Sequence, residues 1–225
     1  MTDPRREPVG GRPAGFRYGV VFFLTLLLVV FVIAAPNANW SRAVTIAIEG
    51  VALVVAVSTA RERREVRYRQ AVAVGVAMTI LIVAVATGVA PRTLVAGVNA
   101  LVTAAIPVVI VRGVVRLMRE RGVTLQAVAG ALAIYLSIGL VFASIITFVA
   151  HVDSTPYFAQ HTSGTDGDRV YFSFTVMTTT GFGDFSPATA VGHALAVIEM
   201  LIGQLYLITV IGLLIGNLAG VRRQV

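Results

Sequence analysis

Cysteine is absent from the 225 residues, so the chain has neither a disulfide framework nor a thiolate metal site. Lysine is absent as well, and all eighteen basic residues are arginines. Charged residues make up only 13% of the chain, against about 25% in an average soluble domain. No phosphate-binding glycine loop, nucleophile elbow or metal-binding helix motif occurs. The sequence therefore predicts no enzyme and no cofactor.

Apolar residues are abundant instead, at 57% of the chain with a mean hydropathy of +0.86. Such a composition is typical of a protein that lies in a bilayer. The net charge of +7 is also found in nucleic-acid-binding proteins. Here the arginines stand at the ends of apolar segments, so the charge indicates membrane topology and no nucleic-acid partner is expected.

Six apolar segments have the length of about 20 residues that a membrane helix needs. The first segment, Gly19 to Ala35, could also be a signal peptide, but it is longer than the apolar part of such a peptide. Tyr18 and Trp40 complete this first span at its two interfaces. The other five predicted spans are Ala43 to Ala60, Ala71 to Ala90, Thr93 to Val111, Val123 to Ala150 and Ala188 to Ala219.

The arginines predict the orientation of these spans, because cytoplasmic segments carry an excess of basic residues. If both termini lie in the cytoplasm, fifteen of the eighteen arginines lie on the cytoplasmic side. The expectation is a multi-pass protein of the plasma membrane with cytoplasmic tails at 1–17 and 220–225. The polar stretch from His151 to Arg169 is then extracellular.

The first four spans form a predicted four-helix bundle, residues 18–111, followed by a basic cytoplasmic linker, residues 112–122. Arg112, Arg116 and Arg119 have helical spacing, which is reminiscent of a voltage sensor. Such a sensor needs arginines at every third position within the span, and Thr93 to Val111 contains none. We expect these three arginines to contact anionic lipid at the cytoplasmic interface.

The stretch between the last two spans contains a second kind of membrane element. Asp168 to Thr178 is too short to cross a bilayer and is predicted to be a re-entrant half-helix, capped at its start by an acidic residue. A threonine-rich run follows and breaks into Gly181-Phe182-Gly183-Asp184, which suits neither helix nor strand. Irregular backbone at membrane depth is tolerated where protein or a water-filled path satisfies it, so the stretch indicates an ion pathway.

The residues from Tyr171 to Asp184 resemble the pore helix and selectivity filter of potassium channels. The family pattern TTVGYGD stands here as TTTGFGD, and the resemblance covers a pore domain of residues 123–219. It implies a filter formed by residues 179–183, in which K+ is the permeant ion. The ion would be bound by carbonyl oxygens and one hydroxyl of Thr179, Thr180, Gly181 and Phe182, with Gly183 completing the filter.

One copy of the filter supplies one quarter of the ring, so the resemblance implies a homotetramer. The predicted fold is an all-α membrane protein with six transmembrane helices, a re-entrant pore helix and a filter loop.

Several positions depart from the family pattern. Phe182 replaces the usual Tyr, and Thr180 replaces Val or Ile, which adds a hydroxyl that needs a partner. Thr175 stands where some members have Glu. Tyr171 stands where Trp is frequent, and we expect it to donate a hydrogen bond to Asp184. The predicted support of the filter comprises Asp184, Tyr171, Thr175 and Thr178.

The sixth span contains the predicted gate. Gly203 is either a hinge of the inner helix or a site of close helix packing, whereas close packing is favoured for Gly212 and Gly216. The side chains expected to face the cavity or the gate are Gln204, Leu207, Ile208 and Ile211.

Two glutamates lie within predicted spans, where an ionised carboxylate is costly. Glu199 is either a pH sensor behind the filter or a neutral acid bonded to a hydroxyl. Glu49 has no role that the sequence assigns.

The sequence predicts a potassium-selective channel. The alternatives are a weakly selective monovalent cation channel, a potassium transporter subunit and a membrane scaffold with an inert pore loop. The transporter is disfavoured because such proteins carry four pore repeats in one chain, and this chain carries one.

Overall fold

A computed structural model describes residues 15–59, ten positions between 72 and 87, and residues 91–222. In these parts of the chain all regular elements are helical. The elements are α1 Gly15–Ala34, α2 Asn39–Thr59, α3 Arg92–Arg121, α4 Leu125–Val152, α5 Asp166–Met177, α6 Ala190–Leu205, a π-helical segment Tyr206–Ile211, and α7 Gly212–Arg222. The described positions between 72 and 87 are helical too.

The all-helical fold is confirmed for the described residues. Four stretches are long and apolar enough to cross a membrane: Asn39–Val57, Arg92–Arg121, Leu125–Val152 and Ala190–Asn217. The apolar part of α1, Tyr18–Ala34, is a shorter helix. The predicted third span, 71–90, lies largely outside the described residues, so the count of six spans stays a prediction.

The expected linker after the fourth span is helical. The helix does not end where the predicted span ends at Val111, because α3 continues through the basic segment to Arg121. Arginine, leucine, methionine and glutamate are good helix formers, and they occupy every position from 116 to 121. Gly122 ends the helix with φ +71° and donates its N–H to the carbonyl of Met118 at 2.9 Å.

Helices α3 and α4 therefore form an antiparallel hairpin with a turn of residues 122–124. Thr124 starts α4 by accepting a hydrogen bond from the N–H of Ala127. The first helices consequently pack on the pore-domain helices of their own chain. Tyr18 of α1 lies in a notch left by two glycines, Gly113 of α3 and Gly130 of α4, where its ring or hydroxyl would meet an added Cβ.

A second apolar cluster joins α1 to the short helix α5. It contains Leu28, Val29, Val32, Leu140, Ala143 and Val170. The approach is close, because a Cβ on Gly167 would lie 2.9 Å from the main-chain oxygen of Val32. The start of α5 is thus held between the ends of α1 and α4.

The inner helix is interrupted near its middle. The sequence predicts one helix over Ala188 to Ala219, and the chain remains helical throughout, but Tyr206–Ile211 adopts the wider π-helical geometry. The Tyr206 hydroxyl donates to the carbonyl of Ala131 at 2.8 Å, and its ring stacks on Tyr135 with centroids 6.0 Å apart. These contacts anchor the π segment to α4.

Candidate functional site

The short helix α5 begins two residues before the predicted start at Asp168. Thr165 is the N-cap, and it forms a capping box with Asp168: the Asp168 N–H donates to Thr165 Oγ1 at 3.1 Å, and the Thr165 N–H donates to Asp168 Oδ2 at 2.7 Å. The acidic residue therefore does help to cap the helix, from its third position. Twelve residues give a length of about 18 Å, which is too short to cross a hydrocarbon core of about 30 Å.

The backbone after α5 alternates in handedness. Thr179, Gly181 and Gly183 have φ of +59°, +51° and +83°, whereas Thr180 and Phe182 are not in the positive region. Thr179 is one of two described non-glycine residues with a positive φ. A backbone whose φ alternates in sign from residue to residue turns successive peptide groups toward the same side. A row of carbonyl oxygens on one side of the chain follows from this geometry.

The amide groups of the same stretch point back to the end of α5. The Thr179 N–H donates to Val176 at 2.9 Å, and the N–H groups of Thr180 and Gly181 both donate to the carbonyl of Thr175, at 2.9 and 3.2 Å. In the described part of the chain no donor reaches the carbonyls of residues 179–182. The N–H groups of residues 179–181 are thus satisfied locally, and the carbonyls of this stretch are left for another group.

The extra hydroxyl of Thr180 has a partner. Its Oγ1 lies 2.8 Å from Oγ1 of Thr178, and Thr178 Oγ1 in turn donates to the carbonyl of Phe174 at 2.7 Å. Thr175 is buried and donates to the carbonyl of Phe172 at 2.8 Å. Its hydroxyl is therefore bonded within α5.

Aromatic rings support the far end of the filter. Tyr171 stacks on Phe182 with centroids 6.2 Å apart and an angle of 9° between the rings, and it meets the ring of Phe185 edge-on at 6.4 Å. Partial desolvation raises the pKa of the Tyr171 phenol, and the nearby Asp184 carboxylate raises it further. Asp184 also accepts the N–H of Phe185 at 3.1 Å. The donation from Tyr171 to Asp184 stays a prediction that this proximity favours.

The loop before α5 packs against the segment after the filter, a contact that the sequence did not predict. Phe158 is fully buried among the rings of Tyr157, Phe172 and Phe185. The Ala159 N–H donates to the carbonyl of Ser186 at 2.8 Å. The exit of the filter is thus fixed on a small aromatic core.

Glu199 lies behind α5 and is only 1% exposed. The Ser173 hydroxyl contacts Glu199 Oε1 and also the carbonyl of Gly139, at 2.7 Å from the latter. A serine hydroxyl carries one proton, so it cannot donate to two acceptors at full strength. The contacts are complete when Glu199 carries a proton itself, which favours the neutral acid over the ionised one.

An ion-pair cluster lies at the start of α5, and the sequence did not predict it. Arg42 Nε donates to Asp166 Oδ2 at 2.7 Å, and Arg169 Nη1 donates to Asp166 Oδ1 at 2.8 Å. Arg169 is only 6% exposed and also donates to the carbonyls of Ser163 and Gly164. Asp166 therefore connects the first bundle to the short helix.

The predicted gate residues differ in burial along the inner helix. A Cβ on Gly203 would lie 2.5 Å from both Cγ and the main-chain oxygen of Met177, so Gly203 permits close packing against the end of α5. Its role as a hinge stays a prediction. Gln204 and Ile208 are exposed, whereas Ile211 packs against the apolar core. The wider turn of the π segment moves Ile211 away from the face that α-helical spacing predicts, and Leu207 is half-buried.

Residues 130–219 match the sequence model of a family described as an ion channel. The matched range contains most of α4, the loop, α5, the filter stretch and almost all of the inner helix. No curated protein matches the chain. The match indicates an ion channel and supports a transmembrane protein of ion transport.

Proposed function

We propose that the chain is one subunit of a homotetrameric potassium channel. The observation that carries this proposal is the alternating backbone of residues 179–183, with the amide groups of 179–181 bonded to α5 and the carbonyls of 179–182 without donors among the described residues. A dehydrated cation needs oxygens that replace its hydration shell. In the tetramer the carbonyls of Thr179, Thr180, Gly181 and Phe182, with the Thr179 hydroxyl, supply them to K+.

The exposure of the filter supports assembly of four chains. Residues 178–184 are all exposed in a single chain, and Phe182 is 69% exposed. Such backbone at membrane depth must be covered by protein or line a water-filled path. With one filter stretch per chain, a ring of four copies around an axis meets both needs.

The direction of α5 supports a cation as the permeant ion. The helix ends at Met177, directly before the filter, and the C-terminus of a helix carries partial negative charge. Asp184 adds a carboxylate at the other end of the filter. The charges at both ends of the filter thus favour a cation.

The proposed setting is the plasma membrane, with both termini in the cytoplasm. The last three turns of α3 carry Arg112, Arg116 and Arg119, and Arg116 pairs with Glu120 at 3.0 Å. Basic residues at the cytoplasmic interface attract anionic lipid. We assign this lipid contact to the end of α3.

Reversal potentials test the proposal. Purified protein in liposomes with opposed K+ and Na+ gradients should give currents that reverse near the K+ equilibrium potential. Gly183→Ala should abolish them, because the Ala side chain is strained at φ +83°. Gly19→Ala is the matched control, since a Cβ there meets nothing within 4 Å.

Two outcomes would contradict parts of the proposal. A reversal potential midway between the K+ and Na+ values would favour the weakly selective cation channel. Subunit counting by cross-linking that stops below four would exclude the tetramer.

A further inference from the structure

A crevice of about 290 Å³ lies between the first bundle and the pore domain, apart from the filter. Its walls come from α1, α2, α3, α4 and the start of α5. We call the side of the 153–165 loop the outer end, since this loop is the predicted extracellular one. The crevice belongs to no part of the conduction path described above.

Three helices line the crevice with residues at matching heights. Each contributes side chains three or four residues apart, so each presents one face to the crevice. The outer layer contains Arg42, Arg92 and His151. The middle layer contains Thr45, Ile46, Val95, Ala96 and Thr147. The deep layer contains Glu49, Asn99 and Ser144. Seven residues separate the outer from the deep layer on α2 and α3, or about 10 Å along each helix.

The deep layer holds two hydrogen-bond acceptors without donors. Glu49 is only 3% exposed, and its Oε2 has no hydrogen-bond partner among the described residues. Asn99 Oδ1 is likewise buried and unpartnered in the described chain. A buried carboxylate oxygen without a partner is costly. Both atoms line the same crevice, so a single donor-bearing group would satisfy them together.

The outer layer carries basic side chains, whereas the deep layer carries hydrogen-bond acceptors. Arg42 is already engaged, since it donates to Asp166 at 2.7 Å and to Asn37 Oδ1 at 2.7 Å. Arg92 is exposed and makes no ion pair or hydrogen bond with another residue that the structure describes. A cation alone would have to pass these arginines, whereas a carboxylate would be attracted by them.

From this arrangement we infer that the crevice binds a linear zwitterion, an amino acid with its ammonium and carboxylate at opposite ends of a methylene chain. The ammonium donates to Glu49 Oε2 and Asn99 Oδ1, the methylenes contact Ile46, Val95 and Ala96, and the carboxylate pairs with Arg92. A divalent cation is a poorer occupant, because no group of three or more His, Cys, Asp or Glu converges among the described residues. Binding at this site does not depend on the proposed ion selectivity.

Equilibrium binding tests the inference with three probes of one length: 6-aminohexanoate, hexylammonium and hexanoate. Isothermal titration calorimetry on the full chain in detergent micelles should show saturable binding of 6-aminohexanoate. Hexylammonium should bind at least ten-fold more weakly, and hexanoate should not compete. This readout is independent of ion flux, so it remains interpretable if the channel proposal fails.

Variants locate the two ends of the ligand. Glu49→Gln should weaken 6-aminohexanoate binding at least ten-fold, since it removes the charge and adds a donor where a donor must bind. Glu120→Gln is the matched control on the exposed end of α3 and should leave binding unchanged. Arg92→Gln should abolish the preference for 6-aminohexanoate over hexylammonium, and it provides a test if Glu49→Gln does not fold.

Three results would overturn the inference. The first is the absence of saturable binding by 6-aminohexanoate, which would mean that water alone fills the crevice. The second is an unchanged affinity of Glu49→Gln for 6-aminohexanoate. The third is that hexanoate binds as strongly as 6-aminohexanoate.

Discussion

The hydroxyl oxygens of Thr178 and Thr180 lie 2.8 Å apart at the start of the filter. Thr178 uses its own proton on the carbonyl of Phe174, so Thr180 is the donor of the pair. This assignment makes the two threonines unequal: Thr178 serves as acceptor and donor, and Thr180 only donates. Removing the Thr178 hydroxyl should therefore have a different effect from removing the Thr180 hydroxyl.

Thr180→Val should leave the protein folded and conducting. The variant loses one hydrogen bond, worth about 0.5–1.5 kcal/mol, and leaves no group unpaired because Thr178 keeps its bond to Phe174. Thr178→Val should destabilise the protein more, since it leaves the Thr180 hydroxyl without its hydrogen-bond partner. Thermal unfolding and K+ to Na+ permeability ratios of both variants check this order. If Thr180→Val destabilises the protein as much as Thr178→Val, the assigned direction of the hydrogen bond is wrong.

Gly203→Ala should disturb the end of α5. The new methyl group would lie 2.5 Å from the Met177 main chain, which cannot rotate away, and overpacking of this kind costs about 1–3 kcal/mol. We expect a lower melting temperature and reduced K+ current. Gly19→Ala adds the same methyl group to a helical glycine in open space and should change neither quantity. Full stability of Gly203→Ala would favour a flexible hinge over close packing at this position.

Glu199→Gln should preserve folding near neutral pH. A neutral amide replaces a carboxyl group that contacts Ser173, whose hydroxyl also donates to the carbonyl of Gly139, and these contacts are complete when Glu199 is protonated. As pH rises, the unfolded chain releases the Glu199 proton before the buried group does, so the parent should lose stability from about pH 5 upward until the buried group ionises, and Glu199→Gln should not. Melting temperatures of both proteins from pH 6 to 10 measure the difference. Identical pH profiles would remove Glu199 from any role in pH sensing.

Asp166→Asn should cost more than Arg42→Gln. Asp166 is the charge partner of buried Arg169 but is itself 32% exposed, so its removal should cost less than the value of about 3–5 kcal/mol for a fully buried pair and more than the loss of an exposed one. The pair between Arg42 and Asp166 is about one third exposed on each side, so its coupling should be about 0.2–1 kcal/mol. A double-mutant cycle of Arg42 and Asp166, measured by chemical unfolding, separates their coupling energy from the cost of leaving Arg169 without its carboxylate. Equal losses in both single variants would show that Arg169 does not need Asp166.

Local patterns in the sequence predicted the helices and the filter stretch. Apolar runs of about 20 residues identify membrane helices, and Gly181 and Gly183 mark the backbone that departs from helix. The ends of the elements were less predictable. Arg112 and Arg116 extend α3 because they are good helix formers, although their charge suggested a separate linker.

Contacts between distant residues were beyond prediction. Arg42 and Asp166 are 124 positions apart, and no local pattern connects them. The packing of Gly203 depends on the position of Met177, which only the fold supplies. The π segment reads as an ordinary apolar helix, because Tyr206 to Ile211 contains neither glycine nor proline.

The π segment also has a mechanical consequence for the end of the inner helix. An α-helix advances about 100° per residue, and a π turn accommodates an additional residue. If Tyr206–Ile211 returned to α geometry, α7 would swivel by about that angle around its own axis. Leu214, now buried, would exchange places with a neighbour such as Leu213 or Ile215. The geometry of Tyr206–Ile211 thus determines which side chains of α7 are buried. The hydrogen bond from the Tyr206 hydroxyl to the carbonyl of Ala131 stabilises the π-helical form.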